Sequence, residues 1–367
     1  MKKRILVLTL VLCLSLTGCS SMLERDYVIV APYEPVSYSS GSSSSLRVEN
    51  YQELVNAVQY LVTMGKEQGF LTLYNYTQDV ETDLTRACLE VIQEDPLGAY
   101  SVEYITHDYS LIVSYYEVTL QISYRRSREQ VASISSVSGS GATRRMIGQA
   151  LTEFSPETVL RISFFTENED YILDLIRQTY YESPVTALGM PEAEVYIYPN
   201  SGSQRIVEIG LTYPASTEVL QQQSQDLAAL ALSLVAEDSS AQSLYDCVTD
   251  GLTISEGSRK SSTYDALVRK ESDSEGAALA YQLLCDQAGI ECVLVQGTLN
   301  GVPHFWNIAV NEAGEYRHMD LSRGLSALTD EELTTSGTYA WDGKEYPACP
   351  ASIPTEEPGE NEKIEEN

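Results

Sequence analysis

Three residues of the sequence have the types and spacing for acyl-transfer chemistry. Ser274 stands in "SDSEGAALAYQLLC" (272–285), His304 in "GVPHFWN" (301–307) and Asp320 in "EYRHMDLS" (315–322). Such a trio needs a nucleophile, an imidazole to take its proton and an acid to orient the imidazole. The start of a helix suits the nucleophile, because free N–H groups and the helix dipole gather there. That place lowers the pKa of a thiol and stabilises an oxyanion. A serine hydroxyl is not ionised by it, and needs the imidazole during attack. Each residue also has a plainer reading. Ser274 is a favoured helix-start residue, His304 a structural hydrogen-bonding group, and Asp320 an orienting carboxylate kept for folding.

The elements that must position this trio can be read around it. "SEGAALAYQLLCDQAG" predicts a helix ended by Gly289, with Ser272-x-x-Glu275 as its capping box. "ECVLVQGTL" and "HFWNIAV" predict strands joined across Asn300-Gly301, a type I′ hairpin signal, and "GEYRHMDLS" the next strand. Period-2 alternation puts His304 and Trp306 on one face, Phe305 and Asn307 on the other, and pairs His318 with Asp320. "STEVLQQQSQDLAALALSLVAE" and "AQSLYDCVTDGL" add two helices before them. A helix feeding an antiparallel meander is an α+β arrangement. His318 is expected at the strand surface, and Trp306, Asn307 and His318 are candidates to line a cleft beside the trio.

At this point the residues resemble a family. "STYDALV", "SEGAALAYQLLCDQAGIECVLVQGTLNGVPHFWNIAV", "YRHMDLS" and "YAWDGKEYPAC" look like the transglutaminase-like superfamily, of papain-like fold. The resemblance covers about residues 216–350. It implies a Cys-His-Asp triad, with His304 and Asp320 at the His and Asp positions. Counted back without gaps from "AGIEC", the Cys position falls on Ser274. Cys285 is eleven residues further along the helix, roughly 16 Å away, and Cys292 lies in the following strand, so neither can replace it. The expectation is therefore a degenerate site that binds a peptide or cell-wall component. The alternatives are an active Ser-His-Asp amidase or protease, and a structural spacer on the envelope.

The first residues bear on location. "MKKR" is a charged n-region, "ILVLTLVLCLSL" a short apolar h-region, and "LTGC" (16–19) resembles the lipobox of bacterial lipoproteins. The resemblance implies cleavage before Cys19, lipid on that residue, and a protein held at the extracytoplasmic face of the cell membrane. The apolar run is shorter than the roughly 20 residues of a membrane span. Net charge is −30, and loss of residues 1–18 would make it −33, so nucleic acid is excluded as a partner. The five remaining cysteines are scattered and form no disulfide framework; they read as mostly buried thiols. Three His and no CxxC argue against a structural zinc site, and no cofactor is expected.

Residues 19–47, with "SSGSSSS", read as a lipidated Cys and flexible tether, and 351–367 as an acidic disordered tail. Between them, 48–215 shows an internal repeat. "FLTLYNYT" (70–77) and "VLRISFFT" (159–166) lie 89 residues apart, as do "QISY" (121–124) and "GLTY" (210–213). The element order predicts an α-β-α-β-β unit twice, over about 48–126 and 137–215, with "SSVSGSGA" (135–142) as the joint and Thr166-x-x-Glu169 as a capping box. The chain holds 25 Tyr against 5 Phe and 2 Trp, which suits sheets with one wet face.

Overall fold

The computed structural model describes residues 45–237, 239–257 and 260–351. The signal segment, Cys19, most of the tether and the acidic tail from 352 lie outside the described residues. No helix among the described residues is long and apolar enough to cross a membrane. The protein is α+β and divides into two compact units. One holds 45–150, 155–176 and 192–212; the other holds 151–154, 177–191 and 213–351.

The first unit carries two four-stranded sheets. In chain order its first half runs β1 (Ser45–Val48), α1 (Tyr51–Thr63), β2 (Gln68–Tyr74), α2 (Val80–Glu94), α3 (Pro96–Ser101), β3 (Val102–Ile112) and β4 (Tyr115–Tyr124). The apolar spacing of α1 explains its placement: Leu54, Val58, Leu61 and Val62 share one face and are buried. They pack with Leu84, Ala87 and Val91 of α2 against Leu71, Leu73, Val118 and Leu120 of the sheet. A short helix α4 (Arg128–Ala132) leads to β5 (Ser135–Ser138), α5 (Gly139–Glu153), β6 (Glu157–Ser163), α6 (Glu169–Tyr181), β7 (Glu192–Tyr198) and β8 (Gln204–Thr212).

The two sheets share one strand order, β1-β2-β4-β3 and β5-β6-β8-β7. They also share register. Ser45 pairs in parallel with Phe70, and Ser135 with Leu160, the same separation. Gln68 opposes Gln121, and Glu157 opposes Gly210, again the same separation. The outer pairs differ by a bulge between Val102 and Tyr104 in the first sheet.

Three expectations need correction here. Each half begins with a strand that the sequence reading missed, so 45–47 do not belong to the tether and 135–138 are not a joint. Four residues such as SSVS carry no alternation to mark a strand; the parallel partner imposes it. The α6 helix is capped by Asn168, whose Oδ1 accepts from the Tyr171 amide at 3.2 Å, not by Thr166. The boundary at 215/216 is not where packing divides, because 151–154 and 177–191 belong with the second unit.

The second unit is built on α7 (Thr217–Glu237), α8 (Ala241–Thr249), two short parallel strands β9 (Thr253–Ile254) and β10 (Glu271–Ser272), and α9 (Ser274–Ala288). The meander follows: β11 (Cys292–Leu299), β12 (Val302–Val310), β13 (Tyr316–Asp320) and β14 (Leu325–Leu328), then α10 (Asp330–Ser336) and β15 (Tyr339–Ala340). The sheet is antiparallel throughout, in the order β14-β13-β12-β11-β15. Asn300 and Gly301 have φ of 54° and 77°, as the β11–β12 hairpin requires. Both sheet faces are covered. Ala309 and Met319 pack with Ala277, Tyr281 and Leu284 on the helical side. Trp306 and Ile308 pack with Leu333, Tyr339 and Cys349 on the other.

Candidate functional site

Ser274 is the first residue of α9, but the cap is Asp273, whose carboxylate accepts from the Gly276 amide at 3.1 Å and from Ser261 Oγ at 2.5 Å. The expected Ser272–Glu275 box does not form. Ser272 Oγ instead donates to the Lys260 carbonyl at 3.0 Å. The approach of this neighbouring segment requires Gly276, since a Cβ there would sit 2.2 Å from Ser272 Oγ and 2.8 Å from the Ser262 carbonyl oxygen. Ser274 is buried, and its hydroxyl has no hydrogen-bond partner among the described residues. Beside it, Glu275 accepts from Tyr181 at 3.0 Å. Burial pushes the Glu275 carboxyl up to about 7, against the Tyr181 hydrogen bond and with the help of the nearby Asp273 charge.

His304 and Asp320 come together across β12 and β13. His304 Nε2 lies 2.7 Å from Asp320 Oδ2. A carboxylate can only accept, so Nε2 carries the proton and Nδ1 is left as the basic nitrogen. Asp320 is fully buried. It also accepts from Tyr339 Oη at 2.7 Å, Ser322 Oγ at 2.8 Å and the Arg323 amide at 3.2 Å. Burial alone would raise its pKa; the His304, Tyr339 and Ser322 interactions outweigh that and hold it below the usual carboxylate range. The His304 ring stacks near Trp306 at 6.1 Å and meets Tyr339 edge-on at 6.0 Å. Gly297 makes room for this, because a Cβ there would meet the Trp306 ring at 2.4 Å and the Ala340 carbonyl oxygen at 2.6 Å.

The three candidate cleft-lining residues are placed differently from expectation. Trp306, Asn307 and His318 are all fully buried. Asn307 Nδ2 donates to the Ala278 carbonyl of α9 at 3.1 Å, tying helix to sheet. His318 is not at the strand surface, because the segment around α10 and Cys349 covers that face. Trp306 Nε1 donates to His318 Nδ1 at 3.0 Å, and His318 Nε2 meets Asp330 Oδ1 at 2.9 Å.

His318, Asp330 and Cys349 offer ligand atoms within 4.8 Å of one another, the spacing of a metal site. Indole N–H can only donate, so Nδ1 must accept and the Nε2 proton goes to Asp330. The one nitrogen facing the cluster therefore has no lone pair for a metal. Burial lowers the pKa of His318, against the opposing hydrogen bond and charge of Asp330. Burial also pushes the Cys349 thiol up to about 12, away from thiolate. The trio is a hydrogen-bonded latch.

Tyr339, Ser322 and Glu275 are the site residues that sequence reasoning missed. "YAWDGKEYPAC" carries part of the resemblance, and nothing local says that its first Tyr reaches a carboxylate 19 positions away. Of the cysteines described, Cys88, Cys285, Cys292 and Cys349 are buried and Cys247 is partly so.

The Asp320 network generates a pH-dependent prediction. Its depressed carboxyl contributes stability that is present above the ordinary carboxylate range and lost as pH falls through its folded value. Tyr339→Phe should cost about 1–3 kcal/mol near neutral pH. The difference should shrink in acid, where Asp320 is protonated. Denaturant unfolding of both proteins at the two pH extremes checks this; a constant difference would mean that the phenol acts independently of the Asp320 charge.

No protein-family model matches the sequence, and no curated protein matches it. Among solved structures, the chain is similar to a candidate cysteine protease from Cytophaga hutchinsonii, at 15% identity and a TM-score of 0.24, over 41% of this chain and 70% of that one. A TGase matches at 14% identity and a TM-score of 0.24, over 45% of this chain and 50% of that one. A candidate protease from Parabacteroides distasonis matches at 9% identity and a TM-score of 0.23, over 71% and 43%. The chain thus spans half or less of the last two. Likeness at these scores carries no argument about activity.

Proposed function

We propose that this chain is a lipid-anchored, extracytoplasmic protein whose 216–350 region is a transglutaminase-like domain without a working nucleophile. It acts by binding a peptide or cell-wall component. The observation that carries this reading is the Ser274 hydroxyl. A serine nucleophile needs an imidazole in hydrogen-bond reach to take its proton. Ser274 Oγ makes no such bond among the described residues, while His304 is engaged through Nε2 with Asp320. The scaffold for a thiolate is kept in the placement of residue 274 at a helix start and in the His304–Asp320 pair. The second reading, an active Ser-His-Asp enzyme, rests on His304 Nδ1 being left as the basic nitrogen.

Chemical labelling separates the two. Ser274→Cys should yield a thiol alkylated by iodoacetamide at neutral pH, and His304→Ala in that background should slow the reaction, because the helix start and the imidazole favour thiolate. Wild-type protein should not react with a fluorophosphonate, and should co-sediment with isolated cell-wall fragments. A labelled Ser274 would install the serine-enzyme reading, and no co-sedimentation would favour a structural spacer.

Anchoring is tested at Cys19. Cys19→Ala should release the protein from the membrane fraction and abolish incorporation of labelled fatty acid. Retention of both would remove the anchor from the proposal.

We read the two four-stranded sheets as copies of one β-α-β-α-β-β unit. Common strand order, common register and the 89-residue offset support this. Superposition of the Cα atoms of 45–124 on 134–213 is the check; divergent backbone paths outside the Val102–Tyr104 bulge would count against it.

A further inference from the structure

The end of α1 and the end of α5 have the same backbone, residue for residue at the 89-residue offset. Gly65 has φ of 58° and Phe154 has φ of 53°. The Gly65 amide bonds the Val62 carbonyl, and that of Phe154 the Leu151 carbonyl. Lys66 bonds back to Leu61, and Ser155 to Ala150. Even the side-chain clamp recurs. Arg128 Nη2 donates to the Gly65 carbonyl at 3.0 Å, and Thr217 Oγ1 donates to the Phe154 carbonyl at 3.1 Å.

The difference lies in one side chain. Phe154 is buried although a positive φ is unfavourable for a bulky residue. Its ring meets Tyr213 edge-on at 5.7 Å and packs with Leu220. The residues at the corresponding places are Tyr124 and Val131. With glycine at 65 they line a cavity of about 730 Å³, together with Val62 and Arg128. Its size is that of a small-ligand site. A Cβ on Gly65 would touch only Arg128 Nε, at 3.7 Å.

We infer that this cavity is a binding site for an aromatic side chain, supplied by a peptide in which a carboxylate flanks the aromatic residue. The apolar wall is the counterpart of the one that holds Phe154. The carboxylate follows from charge. Arg128 is exposed and makes no ion pair among the described residues, and Lys66 beside it is exposed too. Arg126, also in the lining, is already paired with Glu208 at 2.5 Å, and Glu67 adds one opposing charge. Arg128 therefore presents a guanidinium without an ion pair at the mouth of the cavity, against the exposed carboxylates of Glu67 and Glu129, on a chain of net charge −30. The inference rests on reading the two sheets as copies and is independent of the Ser274 site.

The test uses the mature protein and a peptide copied from 152–155, acetyl-Thr-Glu-Phe-Ser-amide, titrated by saturation-transfer NMR. Saturable binding is expected. Replacing Phe by Ala in the peptide should weaken it by about tenfold or more, and replacing Glu by Gln by several-fold. Gly65→Phe should fill the cavity as Phe154 fills its own socket, and abolish binding. Val131→Trp reads the same space should the first variant fail to fold. Arg128→Gln should remove the preference for Glu over Gln. Absence of saturable binding, equal binding of the Ala peptide, or unchanged binding to the folded Gly65→Phe and Val131→Trp variants would overturn the inference. Superposition of the two halves separates its failure from that of the duplication.

Discussion

A carboxylate with no exposed surface constrains the second unit more than any other group. Taking Asp320 out of water is costly unless its lone pairs are satisfied. Four donors do this: the His304 ring, the Tyr339 phenol, the Ser322 hydroxyl and the Arg323 amide. The donors come from three places, the strand β12, the turn after β13 and the strand β15, and each is thereby fixed. The strand β13 must end where a tight turn presents Ser322 and Arg323. The segment after α10 must return so that β15 pairs with β11 and Tyr339 reaches inward. The His304 ring can then adopt only the orientation that gives Nε2 to the acid.

The same return of the chain explains the burial of Trp306 and His318. Once the Tyr339 side chain and Cys349 pack on this face, the large aromatic side chains there fill a core instead of an open cleft. The indole N–H and His318 then need partners, and find them in one another and in Asp330. Asp330 is held in turn by the Cys349 amide at 3.0 Å. Two polar chains, one through Asp320 and one through Asp330, fasten the same segment to the same face. The site and the fold are not separable on this side of the sheet, because removing either acid would strand a buried imidazole.

The two four-stranded sheets share strand order and register, while the side chains around them diverge. Equal strand register at a constant offset keeps the left-handed residue at the end of each first helix. Glycine occupies it without strain in one half, whereas phenylalanine occupies it under compensation from packing in the other. The Phe154 ring fills one of these places, and the corresponding space beside Gly65 is the cavity proposed above to take an aromatic side chain.

Sequence alone determined those features that depend on near neighbours. The apolar spacing of α1 and α2, the Asn300-Gly301 hairpin, the Gly289 stop and the order of helix and meander all arise within a few residues, where sterics and periodicity act. So did the constant offset between the halves, and the motifs that single out Ser274, His304 and Asp320. Tertiary structure decided everything that required distant segments to meet. The strands β1 and β5 have no pattern of their own and exist because β2 and β6 offer them free backbone groups. Asp273 displaced Ser272 as the cap once Ser261 and Lys260 from another segment claimed the neighbouring hydrogen bonds. His318, expected at the strand surface, is covered by residues some 30 positions later. Tyr339 became a partner of Asp320 only through the pairing of β15 with β11. Alternation assigns a side chain to a face, but only the folded chain determines what covers that face.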